Sequence, residues 1–195
     1  MSEPVQPQAT EEQLQRSFTG RLSGNVVAVD DPDSSELTRR GFGEKETVTG
    51  TGTGTGTVHL RIYEAMYLVR MGLLTVLDQA GGTLAFEGLA DRSLKEDKRG
   101  WTKFLLYRDL RSRGYVVREG YGIRSDLRVY DRGEYGKSAA KFVVLPLNEG
   151  EKTSLSSLKR MTETIYRMGK EPLVGVVERR GEIIYYRASK MVFQT

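Results

Sequence analysis

The chemistry open to this 195-residue chain is bounded by what it lacks: it has no cysteine and a single histidine, His59. Thiolate metal sites and disulfide scaffolds are excluded, and so is any centre that needs two imidazoles, the HExxH zinc proteases among them. The repeat Gly50-Thr51-Gly52-Thr53-Gly54-Thr55-Gly56-Thr57 is no phosphate-binding loop, because no Gly-Lys-Ser/Thr follows it and no strand-to-helix turn surrounds it. Asp126 lacks the spaced acidic partner and following lysine that a metal-dependent DNA nuclease of the restriction type needs. Carboxylates, hydroxyls, phenols, guanidinium and ammonium groups remain. Tyr130 ends an alternating segment, and Lys170 follows Gly169 at the end of a helical one. A phenol, with a pKa of about 10, is a poor base at neutral pH; a nearby ammonium group would favour phenolate and also hold a phosphate. Taken singly, a strand-terminal tyrosine is most simply a packing residue, and a lysine behind a helix-ending glycine a solvated charge favoured by the helix dipole.

Thirty Lys and Arg against 26 Asp and Glu leave a net charge of +4, and the sequence pI of about 9.2 favours an acidic partner, of which nucleic acid is the commonest. Hydrophobic residues at 38% can build a core, but no apolar run approaches the roughly 18 residues that span a bilayer. The first residues, Met1-Ser2-Glu3-Pro4-Val5-Gln6-Pro7-Gln8, do not read as a secretory signal, and a cytoplasmic protein is expected.

The elements that must position these groups can be read from periodicity. Residues 1–15 are polar and aperiodic, as a disordered tail is. Residues 18–29 suggest a hairpin, the Gly-Thr repeat a mobile surface loop, and the spacing of Ile62, Ala65, Met66, Val69 and Leu73 a helix stopping near Gly72. His59 is expected to be a surface residue near the start of that helix. Two short strands, or a strand and a helix start, flank Gly81-Gly82; a helix is expected over 89–98 and another over 101–113, with Arg111 and Arg113 suiting its dipole and Gly114 capping it. The period then changes to two: strands are expected over 115–118, 126–130 and 141–145, a helix over 157–168, and strands over 173–177 and 182–186. This order predicts an α/β (α+β) protein, with a small N-terminal α+β domain over 16–98 carrying the Gly-Thr-rich loop 43–57, followed by a mixed-sheet α/β domain over 99–195.

The stretch Tyr107-Arg108-Asp109-Leu110-Arg111-Ser112-Arg113-Gly114-Tyr115-Val116-Val117 closely resembles the helix-to-strand signature of the archaeal tRNA splicing endonucleases, or tRNA-intron endonucleases. Ser125-Asp126-Leu127-Arg128-Val129-Tyr130 is similar to the strand that ends in that family's catalytic tyrosine, and Tyr63-Glu64-Ala65-Met66-Tyr67-Leu68 with Gly72-Leu73-Leu74 to its N-terminal helix. The resemblance implies metal-independent, cofactor-free RNA cleavage by transesterification, leaving a 2′,3′-cyclic phosphate and a 5′-hydroxyl. It assigns Tyr130 as base and Lys170 as the cation that stabilises the phosphorane. The family's histidine, the acid for the leaving oxygen, corresponds to Ala139, nine residues after Tyr130 and 31 before Lys170. An alanine cannot donate that proton, so the chain reads as a His→Ala variant impaired in cleavage; the alternative is a non-catalytic structural or RNA-binding subunit of the same assembly.

The resemblance further implies a precursor-tRNA substrate, cut at bulge-helix-bulge exon–intron junctions and recognised by shape and extruded bases. The position that stacks on a bulged base falls on Tyr185; the helix position that is arginine in homotetramers falls near Glu163, with Arg160 or Arg167 as substitutes. Lys45, beside the inserted loop, is a candidate for phosphate contact, as in the crenarchaeal-type enzymes. The loop Leu147-Asn148-Glu149-Gly150-Glu151 lies where the family docks an acidic loop on a neighbour, making Glu149 and Glu151 candidate interface residues. An α2β2 heterotetramer with a separate structural subunit is expected, a homotetramer being the alternative.

Overall fold

A computed structural model describes residues 17–30, 34–45, 56–123 and 126–189. The expected N-terminal tail and most of the Gly-Thr repeat lie outside these. The described residues form two mixed sheets and five helices, an N-terminal part followed by a C-terminal one.

The first sheet has the order β3-β4-β2-β1-β5-β6: β1 (Phe18–Ser23), β2 (Val26–Val29), β3 (Glu44–Lys45), β4 (Val58–Arg61), β5 (Leu74–Leu77) and β6 (Thr83–Leu84). The expected hairpin is β1–β2, turning at Gly24 with φ +55°. A short helix α1 (Ser34–Arg39) and the strands β3 and β4 escape the periodicity, being too short to show one. His59 stands near the start of α2 (Ile62–Arg70), as expected, but is half-buried rather than a plain surface residue: it lies within β4, between β3 and β2, opposite Ala28. Helix α2 (Ile62–Arg70) buries nearly its whole first two turns, and α3 (Phe86–Glu96) packs beside it.

Helix α4 (Gly100–Ser112) joins the halves. Phe104, Leu106 and Tyr107 are fully buried in one continuous apolar core running from Phe18 to Val177. Arg111 lies in the last turn of α4, as expected, and is buried, its guanidinium 3.9 Å from the centre of the Phe42 ring and its Nη1 donating to the Arg40 carbonyl at 3.1 Å. Nearby, Tyr63 and Lys103 both donate to Glu119, at 3.0 and 2.5 Å. Glu64 accepts backbone N–H groups from Arg61 and Gly43, and burial pushes its carboxyl up. These buried hydrogen bonds between the halves favour one arrangement of them.

The second sheet has the order β11-β10-β9-β8-β7, formed by β7 (Val116–Glu119), β8 (Leu127–Tyr130), β9 (Phe142–Asn148), β10 (Glu171–Val177) and β11 (Ile183–Arg187), with α5 (Leu155–Arg167) between β9 and β10. β9 and β10 are parallel; the other pairs are antiparallel. Strand alternation separates its faces. Val117, Leu127, Val129 and Val144 join the core around α4, while Val143 and Leu145 form a small second core with Met161 and Ile165 of α5. Gly175 marks the closest approach of α4: a Cβ there would stand 2.6 Å from Leu106 Cδ2.

Candidate active site

The backbone of Lys141 ties three chain segments together. Its N–H donates to the Val129 carbonyl on one side, and its carbonyl accepts from Glu171 N–H on the other, both at 3.0 Å. Tyr130 is the residue after Val129 and Lys170 the residue before Glu171, so the two flank Lys141 at one end of neighbouring strands. Two strand spacings separate their backbones by about 10 Å, within which the long side chains can converge on one phosphodiester. Ala139, two residues before Lys141, is exposed at the same end of the sheet, its methyl group the smallest side chain there able to mark a position.

Tyr130 follows Arg128 by two on β8 and so faces the α5 side of the sheet, opposite Val116 of β7. Its ring meets that of Tyr135 edge-on, centroids 5.0 Å apart and planes at 90°. Tyr135 sits in the β8–β9 loop, folded by backbone bonds from Glu134 N–H to Asp131 O and from Lys137 and Ser138 N–H to Glu134 O, all at 3.0 Å. Gly133 and Gly136, with φ of +75° and +80°, allow these tight reversals. Lys170 is positioned by the end of α5: Gly169 takes φ +68° and Lys170 N–H donates back to Ile165 O at 3.2 Å, the glycine-capped stop that the sequence signals.

Two groups at this end escape reading from residue types alone. The Lys141 ammonium lies 3.3 Å from an Asp131 oxygen. The Arg132 backbone N–H and that ammonium hold the Asp131 carboxyl below the usual carboxylate range. The signal available was their adjacency to Ala139 and Tyr130.

The expected RNA contacts are spread more widely. Lys45 is exposed on β3, one residue beyond Glu44, which pairs with Arg118 of β7 at 3.6 Å. Arg160 and Arg167 are both exposed on α5. Arg167 is three residues from Lys170, whereas Arg160 stands two turns back and lines a cavity of about 520 Å³ with Lys152, Ser154 and Ser157. Tyr185 points to the α4 face, away from the side Tyr130 occupies: its hydroxyl donates to Asp109 at 2.9 Å and its ring packs on the core. On β11 the ring most open to a base is that of Tyr186, 53% exposed. Glu149 and Glu151 are engaged within the chain, Glu149 accepting from Arg179 N–H at 2.8 Å and Glu151 pairing with Arg99.

Asp126 is equally committed. Its carboxylate is 1% exposed and accepts N–H groups from Tyr121 and Ile123 at 2.7 and 2.8 Å, which makes it the anchor of the turn before β8. Among the described residues no three His, Asp or Glu side chains cluster as metal ligands, and no helix is long and apolar enough to cross a membrane.

The comparisons agree with this layout. Residues 18–90 match the model for the tRNA intron endonuclease N-terminal domain, and residues 100–185 that for the catalytic C-terminal domain. The chain belongs to the tRNA intron endonuclease family. A tRNA-splicing endonuclease of Methanococcus vannielii is 27% identical over 172 residues, 88% of this chain and 93% of that protein. One from Thermococcus onnurineus is 32% identical over 69% of this chain and 77% of its own length, and one from Saccharolobus islandicus 29% over 69% and 74%. The first sheet and all but the last two residues of the second fall within family domains, and the Tyr130, Ala139 and Lys170 positions fall within the catalytic one.

Proposed function

We propose that this member of the family is a catalytic-type subunit that cuts precursor tRNA at bulge-helix-bulge junctions, using Tyr130 and Lys170 and no metal, and that it does so poorly because Ala139 leaves the acid position empty. The observation that supports this reading is the pair of backbone bonds at Lys141, which brings the ends of β8 and β10 to either side of the start of β9.

In this mechanism the Tyr130 phenolate takes the proton of the 2′-hydroxyl, O2′ bonds to phosphorus, and the bond from phosphorus to O5′ breaks. The ammonium of Lys170 offsets the charge on the phosphorane. The proton for O5′ comes from water, since a methyl group cannot supply one. The products are a 2′,3′-cyclic phosphate and a 5′-hydroxyl. The chain works with a structural partner subunit in a four-unit assembly that presents two such sites to one RNA.

Single-turnover cleavage of a bulge-helix-bulge RNA, with a family structural subunit present, tests this. Ala139→His raises the rate at least about a hundredfold, the lower range for a positioned general acid, and a chelator leaves it unchanged. Failure of Ala139→His to cleave, or its loss with chelator, refutes the reading. A second reading, a non-catalytic subunit, draws on Ala139 itself; it is supported if Ala139→His adds no activity while removing this chain abolishes that of the assembly.

A further inference from the structure

We propose that Tyr135 is the positioning residue of Tyr130, and that the N-terminal segment Arg40 to Glu44 holds Tyr135 in place, so that the first half of the chain orients the proposed base of the second. This rests on the function proposed above.

Tyr130 is the last residue of its strand, so no later ladder bond of β8 restrains its ring, and the ring is half-buried. Its walls come from elsewhere. Val116 lies directly opposite in the register, and the Tyr135 ring stands at right angles to that of Tyr130, a preferred aromatic geometry because the positive edge of one ring faces the negative face of the other. Rotation of the Tyr130 ring about its first torsion would break that contact.

Behind both walls stands a single backbone position. Gly41 has φ +77°, and a Cβ built there would lie 2.2 Å from Val116 Cγ1 and 3.5 Å from Tyr135 Cε1. Only a residue without a side chain lets the main chain come this close. Its neighbours are fixed to the two halves of the fold. The Arg40 carbonyl accepts from Arg111 of α4, and Phe42, 1% exposed, lies beneath the same guanidinium. Gly43 N–H donates to Glu64 of α2, and Glu44 pairs with Arg118 of β7. Contacts run from α2 and α4 through this segment to Val116, which walls the Tyr130 ring, and the Tyr135 ring lies close to Gly41. The loop is fastened on its other side by Arg132, whose guanidinium lies 5.0 Å from the centre of the Tyr115 ring.

The full chain labelled with ¹³Cζ-tyrosine provides a readout independent of activity, the Tyr130 resonance being assigned by its disappearance in Tyr130→Phe. Tyr135→Ala shifts that resonance, whereas Tyr135→Phe, which keeps the ring edge, leaves it in place. In an Ala139→His background, Tyr135→Ala lowers kcat for the RNA about tenfold, a fraction of what misplacement of a reacting group can cost, with KM unchanged and Tyr135→Phe near the parent. An unmoved Tyr130 resonance in Tyr135→Ala overturns the inference, as does a Tyr135→Phe variant as impaired as Tyr135→Ala, which would mean that the hydroxyl acts for itself. If the Ala139→His chain does not cleave, the proposed function fails, and the resonance alone decides whether Tyr135 sets the Tyr130 ring.

Discussion

Replacing Asp126 by asparagine separates a carboxylate that folds a turn from one that performs chemistry. Asp126 is almost fully buried, and each of its oxygens accepts one backbone N–H, from Tyr121 and from Ile123; its carbonyl accepts a third, from Gly120, at 3.0 Å. The turn closes so tightly that a Cβ on Gly120 would stand 2.1 Å from Asp126 Oδ2. In Asp126→Asn an amide NH2 replaces one acceptor and faces an N–H, stranding a buried donor and removing the charge from the other bond. Together these cost about 3 kcal/mol. For a chain near 200 residues each kcal/mol moves the melting temperature by roughly 2–4 °C, so Tm should fall by about 6–12 °C. Far-UV circular dichroism melts of the full chain measure this directly. Because Asp126 precedes β8 and Tyr130 ends it, cleavage by the Ala139→His chain assayed well below the transition should stay within about twofold. A melting shift below about 2 °C would refute the reasoning. Abolished cleavage with unchanged stability would instead assign the carboxylate to the reaction, as a metal-dependent nuclease requires.

Two further outcomes follow from the polar groups. Burial raises the Glu64 carboxyl, so the folded state keeps its proton to higher pH than the unfolded chain; its contribution to stability is full below about pH 4.5 and falls as pH rises toward the folded value. Urea midpoints measured at rising pH should therefore decline more for the parent than for Glu64→Gln, and parallel curves would contradict the assignment. Glu151→Ala removes the pair with Arg99, a partly exposed contact worth no more than about 1 kcal/mol. Sedimentation should show the mass of the assembly unchanged, whereas dissociation would return Glu151 to an intersubunit role.

Much of the second sheet was legible because its strands are long enough to alternate and its helices end in glycines whose left-handed conformations are observed, Gly114 at φ +83° and Gly169 at +68°. The first sheet was harder. Helix α1 and strands β3 and β4 are of two to six residues, below the length at which a period declares itself, and their stability comes from partners distant in the chain, such as Val58 against Val29. For the same reason the burial of His59 and Arg111 went unread: local spacing carries no record of the strands that flank the one or of the Phe42 ring against the other.

By itself the sequence excluded thiol and paired-imidazole chemistry whatever the fold, and its resemblance to family motifs named Tyr130, Ala139 and Lys170. Only the tertiary structure decided what stands beside them. The Lys141 bridge, the Asp131 carboxylate and the edge-on Tyr135 depend on strand register and on Gly41, which brings its backbone against residues 75 or more positions further along the chain. Such proximity arises when hydrogen-bonded ladders and a shared apolar core close long loops, and a linear pattern does not encode which segments will meet.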